Sequence, residues 1–173
     1  MYKQYEYVEG KGIIAINFPE YPDGFSGLKR ILYIGCGYDN DGLEALAKNH
    51  KYVVGIDECL CDRQKDIKER EELTTRCPNL HIKEMDARKL IFPSNSFDGV
   101  VFKRSLTHIG DENDITKALS KVRRALNKEG MVWVIFSQHD IDFSSERIKI
   151  LLNSLGLEVI SETESYITCV KQK

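Results

Sequence analysis

From Arg30 almost to its end, the chain alternates short apolar runs with longer segments of helical period. An unbroken apolar run of four to eight residues suits a strand covered on both faces, and strand–helix repeats of this kind form a parallel sheet between helices. The runs that predict strands are Arg30 to Ile34, Tyr52 to Ile56, Leu80 to Lys83, Phe97 to Phe102, Met131 to Ser137, Leu157 to Ser161 and Tyr166 to Val170. Asp41, with Glu44 at capping-box spacing, predicts the start of a first helix whose buried stripe is Leu43, Leu46 and Ala47. A mostly charged helix from about Asp62 to Arg76 faces solvent and stops before Pro78. A third follows Asn113 and Asp114, carries Ile115, Ala118, Leu119, Val122, Ala125 and Leu126 on one face, and ends at Gly130. The last begins near Ser144, with Ile148, Leu151, Leu152 and Leu155 apolar and Gly156 at the stop.

The expected fold is therefore α/β: a Rossmann-like, mostly parallel seven-stranded sheet, helices on both faces, and an antiparallel last strand. Five strand–helix alternations precede two strands joined without a helix. At 173 residues the chain is read as one domain, with 30–173 as the core. Residues 1–28 form an extension with the turn signal Tyr21-Pro22-Asp23-Gly24, and its Tyr2, Tyr5 and Tyr7 suit an ordinary packed or frayed terminus more readily than a lid over the acceptor.

Composition removes several functional classes. Lys and Arg number 25 against 27 Asp and Glu, with no polybasic block, so nucleic acid is not the expected partner. No apolar run approaches the ~18 residues of a membrane span, and the start lacks the apolar core of a signal peptide, which points to the cytoplasm. Five cysteines at irregular spacing read as reduced thiols; Cys59 and Cys61 lack a second pair to complete a metal site, and no metal is expected.

In such a sheet, ligands bind beyond the carboxyl ends of the strands, where the strand order reverses. After the first strand comes Gly35-Cys36-Gly37-Tyr38-Asp39-Asn40, a turn that lets a ligand approach backbone N–H groups. Asp57 directly follows the second strand, 22 residues after Gly35, where a carboxylate can accept from a ribose diol. A dinucleotide calls for a third glycine where Asn40 stands, and Asp39 and Asp41 repel a pyrophosphate at the helix start. No P-loop occurs. A nucleoside bearing positive charge and no phosphate, as in S-adenosylmethionine, meets neither objection.

The order of these motifs resembles the class I S-adenosylmethionine-dependent methyltransferases of the small-molecule type, over about Arg30 to Ser137. ILYIGCG is similar to their first motif and VVGID to the acidic end of their second strand. EMDARKLIFPSNSFDGVVFKRSLTHI looks like their adenine loop and fourth strand, and SKVRRALNKEGMVWVIF like the helix and fifth strand that follow. The resemblance implies S-adenosylmethionine as cofactor, held by Gly35, Cys36, Gly37 and Asp39 near the methionine part and by Asp57 and Glu58 at the ribose. It places Asp86 at the adenine amino group with Ala87 nearby, and includes Arg104. Tyr33 stands where the family usually has an acid, and Asp39 where it has a small residue; Asp39 is a candidate to replace the missing charge.

The implied activity is methyl transfer to a small acceptor, much of whose barrier falls through alignment alone. His108 and His139, which follow the fourth and fifth strands, are candidate bases, and Arg104 with Ser105 could orient the acceptor. The sequence leaves open a methyltransferase-like binding or scaffolding protein without turnover, and a nucleotide-dependent reductase.

Overall fold

The computed structural model describes residues 3–8, 12–17, 25–60, 64–136, 145–163 and 165–172. Residues 137–144, with His139, and the predicted turn at 21–24 lie outside them. The N-terminal extension forms a hairpin of β1 (Lys3–Val8) and β2 (Gly12–Asn17), antiparallel, with Lys3 opposite Asn17 and Val8 opposite Gly12.

The seven predicted strands all form and occupy one sheet. In chain order come β3 (Arg30–Ile34), α1 (Asn40–Asn49), β4 (Tyr52–Asp57), α2 (Gln64–Arg76), β5 (Leu80–Glu84) and β6 (Phe97–Lys103). They are followed by α3 (Glu112–Ala125), β7 (Leu126–Ile135), α4 (Ser145–Ser154), β8 (Leu157–Glu162) and β9 (Tyr166–Lys171). Across the sheet the order is β5-β4-β3-β6-β7-β9-β8; β3 to β7 run parallel, and β9 inserts antiparallel between β7 and β8. The chain thus winds outward from β3 to β5, then returns across β3 to begin β6. That reversal opens the crevice between β3 and β6.

Alternation along the strands divides the core in two. Leu32, Ile34, Val100, Phe102, Val132 and Val134 point to the face covered by α3 and α4. Ile31, Tyr33, Val53, Val101 and Trp133 point to the face covered by α1 and α2. On α3, Ile115, Leu119 and Val122 are fully buried, each worth about 1.5–3 kcal/mol of transfer from water, enough to hold a helix that is polar on its other side.

Four local expectations need correction. The first helix is capped two residues earlier than predicted: Asp39, not Asp41, accepts from the Gly42 N–H, and Asp41 lies inside the first turn. The third helix starts at Glu112 with Asp111 as cap, and stops at Ala125, so Leu126 begins β7 and Gly130 is no helix stop. The left-handed residue there is Glu129, at φ 62°, in the irregular stretch between the Phe97–Leu126 and Gly99–Met131 pairs. The β5–β6 connection carries no α-helix, only the 3-10 turn Ala87–Lys89, so the strand–helix alternations number four. Pro93 and the left-handed Asn95 turn the chain back before a helix could form.

Candidate functional site

A cleft of about 210 Å³ opens at the carboxyl edge of β3, β4, β5 and β6. Its floor is the glycine turn. Gly35, at φ 71°, and Cys36 both donate their backbone N–H to the Ile56 carbonyl of β4, at 2.8 and 3.0 Å, which bends the chain sharply off β3. Ser105 lies directly against Gly35: a Cβ there would fall 2.2 Å from the serine Cβ, so a side chain is excluded by space as well as by φ. The Ser105 hydroxyl donates to the Ile34 carbonyl at 2.6 Å, fixing the β6 loop against the end of β3.

Asp57 holds the turn from the β4 side. Its Oδ2 accepts from the Gly37 N–H at 2.9 Å and its Oδ1 from the Cys59 N–H at 3.0 Å. A carboxylate has roughly four acceptor positions. Two are used among the described residues, and Asp57 lines the cleft. On the other side Arg70 of α2 donates to the Gly37 carbonyl at 2.8 Å and stacks on the Tyr38 ring at 5.8 Å. The charged, solvent-facing helix therefore reaches the site through one arginine. Cys36 is buried beneath the turn, where burial first and the Asp57 charge second push its thiol up to about 12. It offers the site backbone, not a thiolate nucleophile.

Under the turn lies a buried polar cluster. Asp39 Oδ2 accepts from the Tyr33 hydroxyl at 2.6 Å and from Lys103 Nζ at 2.5 Å, while Oδ1 accepts from Gly42 N at 3.2 Å. Lys103 is 7% exposed, and burial pulls its ammonium below the ordinary range, opposed by Asp39. Burial and then the Asp39 charge raise the Tyr33 hydroxyl well above its usual value. Tyr33 thus hands its hydroxyl to Asp39, and Asp39 is already matched by an internal cation.

The opposite end of the cleft is built around Arg88. Its Nε donates to Asp86 Oδ1 at 2.9 Å, its Nη1 to Asp114 Oδ2 at 3.2 Å, and its Nη2 to Glu58 Oε2 at 3.4 Å. Asp86 also caps the 3-10 turn by accepting from the Arg88 N–H at 2.8 Å. Its pairing with Arg88 holds the Asp86 carboxyl below its usual range, so it stays an ionised acceptor. One guanidinium thus ties together the end of β4, the β5 loop and the start of α3.

Of the predicted site residues, Gly35, Asp57, Glu58, Asp86, Ala87, Arg104 and His108 line this cleft. Gly37 and Asp39 support it from behind, and Cys36 from below. Arg104 follows β6 at φ 53°, a left-handed conformation uncommon outside glycine. His108 closes the 3-10 turn Leu106–His108. Sequence reasoning missed Arg70, Arg88 and Lys103. Lys103 carried a signal: a lysine ending the unbroken apolar run Val100-Val101-Phe102 needs a buried partner.

Among the described residues no helix is long and apolar enough to cross a membrane, and no group of three or more His, Cys, Asp or Glu could hold a metal. No curated protein matches the chain by sequence. Among solved structures, a SAM-dependent methyltransferase of Methanosarcina mazei superposes with TM-score 0.66 at 20% identity, over 83% of this chain and 92% of that one. One from Aquifex aeolicus gives 0.68 at 17% identity, over 84% and 85%. The SAM-bound amino pentose methyltransferase of calicheamicin biosynthesis from Micromonospora echinaspora gives 0.66 at 13%, over 84% of each chain. The family described as "Methyltransferase domain" matches residues 32–134, more than half of the chain. The match runs from the glycine-turn strand through β7, and with this sheet order the chain belongs to the class I S-adenosylmethionine-dependent methyltransferases.

Proposed function

We propose that the protein transfers a methyl group from S-adenosylmethionine to a small-molecule acceptor in the cytoplasm. One observation carries the reading: Asp86, Asp57 and Gly35 follow the adjacent strands β5, β4 and β3 along a single cleft. At ~4.8 Å per strand these groups spread over about 10 Å, a distance suited to the adenine, the ribose and the sulfur in turn. The donor set fits the cofactor. Asp57 offers carboxylate oxygens to a ribose diol, Asp86 is an ionised acceptor for the adenine amine, and the turn at Gly35 brings backbone to the cleft wall.

Bound there, the cofactor supplies an electrophilic methyl group on a sulfonium. The chain's part is to align it, since positioning can account for roughly 7–11 kcal/mol of such a barrier. His108, at the β6 end of the cleft, is placed to take the proton that the acceptor releases at an imidazole nitrogen. His139 is the second candidate base. The free, mostly buried cysteines Cys36, Cys77 and Cys169 suit a reducing compartment.

The test is a thermal-shift titration with S-adenosylmethionine, S-adenosylhomocysteine, NADH and NADPH. A ligand at about 100 times its dissociation constant stabilises the fold by ~2.7 kcal/mol. Shifts with the first two alone are expected; a response to NADH or NADPH alone replaces the reading by a reductase.

A further inference from the structure

The loop that follows β5 is fastened to α3 at two points. Arg88 Nη1 donates to Asp114 Oδ2 at 3.2 Å, and Lys117 holds Asp114 in turn by donating to its Oδ1 at 3.1 Å. Farther along the helix, Arg124 Nη2 donates to the Leu90 and Phe92 carbonyls at 2.9 and 3.0 Å. A segment whose only regular structure is the 3-10 turn Ala87–Lys89 is thereby tied to the frame of the domain.

Within that segment the two oxygens of Asp86 have different surroundings. Oδ1 accepts from the Arg88 backbone N–H at 2.8 Å and from Arg88 Nε at 2.9 Å. Among the described residues Oδ2 meets only the Lys89 ammonium, at 3.7 Å, which is beyond hydrogen-bond distance and on a side chain 83% exposed. The guanidinium thus takes one oxygen and leaves the other for a ligand. Asp86 lines the cleft and Arg88 does not, so Arg88 can act on a ligand there only through Asp86. Its third carboxylate, Glu58 at 3.4 Å, is 60% exposed and contributes least.

An ionised carboxylate only accepts: it takes a hydrogen bond from an exocyclic amine and repels a carbonyl oxygen in the same place. We infer that Arg88 is a positioning residue for base selection: by holding Asp86 Oδ1 and anchoring on Asp114 of α3, it presents Asp86 Oδ2 to the six-position of the bound purine. The site then takes a 6-amino base and rejects a 6-oxo one, and the discrimination depends on a side chain outside the cleft. The inference rests on the cofactor reading above.

Calorimetric titration with S-adenosylhomocysteine and S-inosylhomocysteine, which differ at that position of the base, tests it. Wild type is expected to prefer the adenine compound by about ten- to a hundredfold, the weight of one charge-assisted hydrogen bond. Arg88→Met should reduce the preference at least fivefold through weaker binding of S-adenosylhomocysteine, with S-inosylhomocysteine held no worse than about twofold below wild type. Arg88→Lys, the milder change, should keep part of the preference, since the charge remains and the fork is lost; it reads the same ratio if the methionine variant does not fold. In an Asp86→Ala background, adding Arg88→Met should change neither affinity by more than about twofold. An unaltered ratio in the Arg88 variants overturns the inference, as does equal weakening of both ligands, which marks a purely structural role. A further loss of preference in the Asp86→Ala background also overturns it, because Arg88 would then meet the base itself. Wild type binding both compounds equally removes the inference and leaves the cofactor reading standing, whereas wild type binding neither removes both.

Discussion

Replacing Lys103 by methionine tests whether the buried ion pair shapes the glycine turn. The substitution keeps most of the side-chain volume and removes the ammonium that sits 2.5 Å from Asp39 Oδ2. Breaking a buried pair from one side generally costs 3–5 kcal/mol, because the remaining charge is left without a counterion. Here Asp39 retains the Tyr33 hydroxyl and the Gly42 N–H, so the loss should fall at the low end, about 3 kcal/mol. With a urea slope of ~2 kcal/mol per molar, the midpoint drops by about 1.5 M. Asp39→Asn combined with Lys103→Met removes both charges, and should recover ~1 kcal/mol or more relative to the sum of the single losses. Urea melts followed by far-UV circular dichroism measure all three variants. A Lys103→Met midpoint within about 0.3 M of wild type, or strict additivity in the double variant, refutes the reasoning.

Gly35→Ala should lose at least ~2 kcal/mol in the same melts, since φ 71° is costly for alanine and its Cβ meets that of Ser105 at 2.2 Å. Adding Ser105→Gly should return part of the loss by removing the clash and not the dihedral strain; a double variant no better than Gly35→Ala alone contradicts this. Acid stability should depend on His50, which is 5% exposed and pulled by burial below its ordinary 6.5, against its bond to the Leu28 carbonyl. The unfolded chain therefore takes up this proton first, so stability falls as pH drops below about 6.5, with a slope of up to ~1.4 kcal/mol per pH unit. His50→Asn should flatten the fall between pH 6.5 and 5, as read from urea midpoints across that range.

The strands were legible because both faces of the sheet are covered: Arg30–Ile34 was predicted to the residue, and the starts of β4, β5, β6, β8 and β9 coincide with their apolar runs. What failed was local choice between near-equivalent signals. Asp39 and Asp41 both suit a helix cap, and the choice is made by Lys103, which lies 64 residues away. Helical period continues through Leu126, but pairing with Phe97 claims that residue for the sheet. The cleft residues Asp57, Asp86 and Gly35 could be found because each directly follows a recognisable strand. Arg70 and Arg88 could not, since a long side chain on a polar helix or turn looks like ordinary surface until its partners are in place. The β1–β2 hairpin was not foreseen although Lys3–Val8 alternates in the period of a strand, because a tyrosine-rich start equally suits a packed or frayed terminus.

The place of β9 inside the sheet has a kinetic side. Parallel pairing through β7 can be completed by the chain up to Ile135, but β7 then presents an open edge until β8 and β9 have formed and β9 has slotted alongside it. That edge carries Met131-Val132-Trp133-Val134-Ile135, five consecutive β-prone residues with neither charge nor proline. Such a segment is an efficient template for pairing with another chain. During folding the molecule is therefore most prone to self-association in the interval when five strands are in register and the sixth and seventh are not, and Tyr166–Lys171 acts as the strand that ends that exposure.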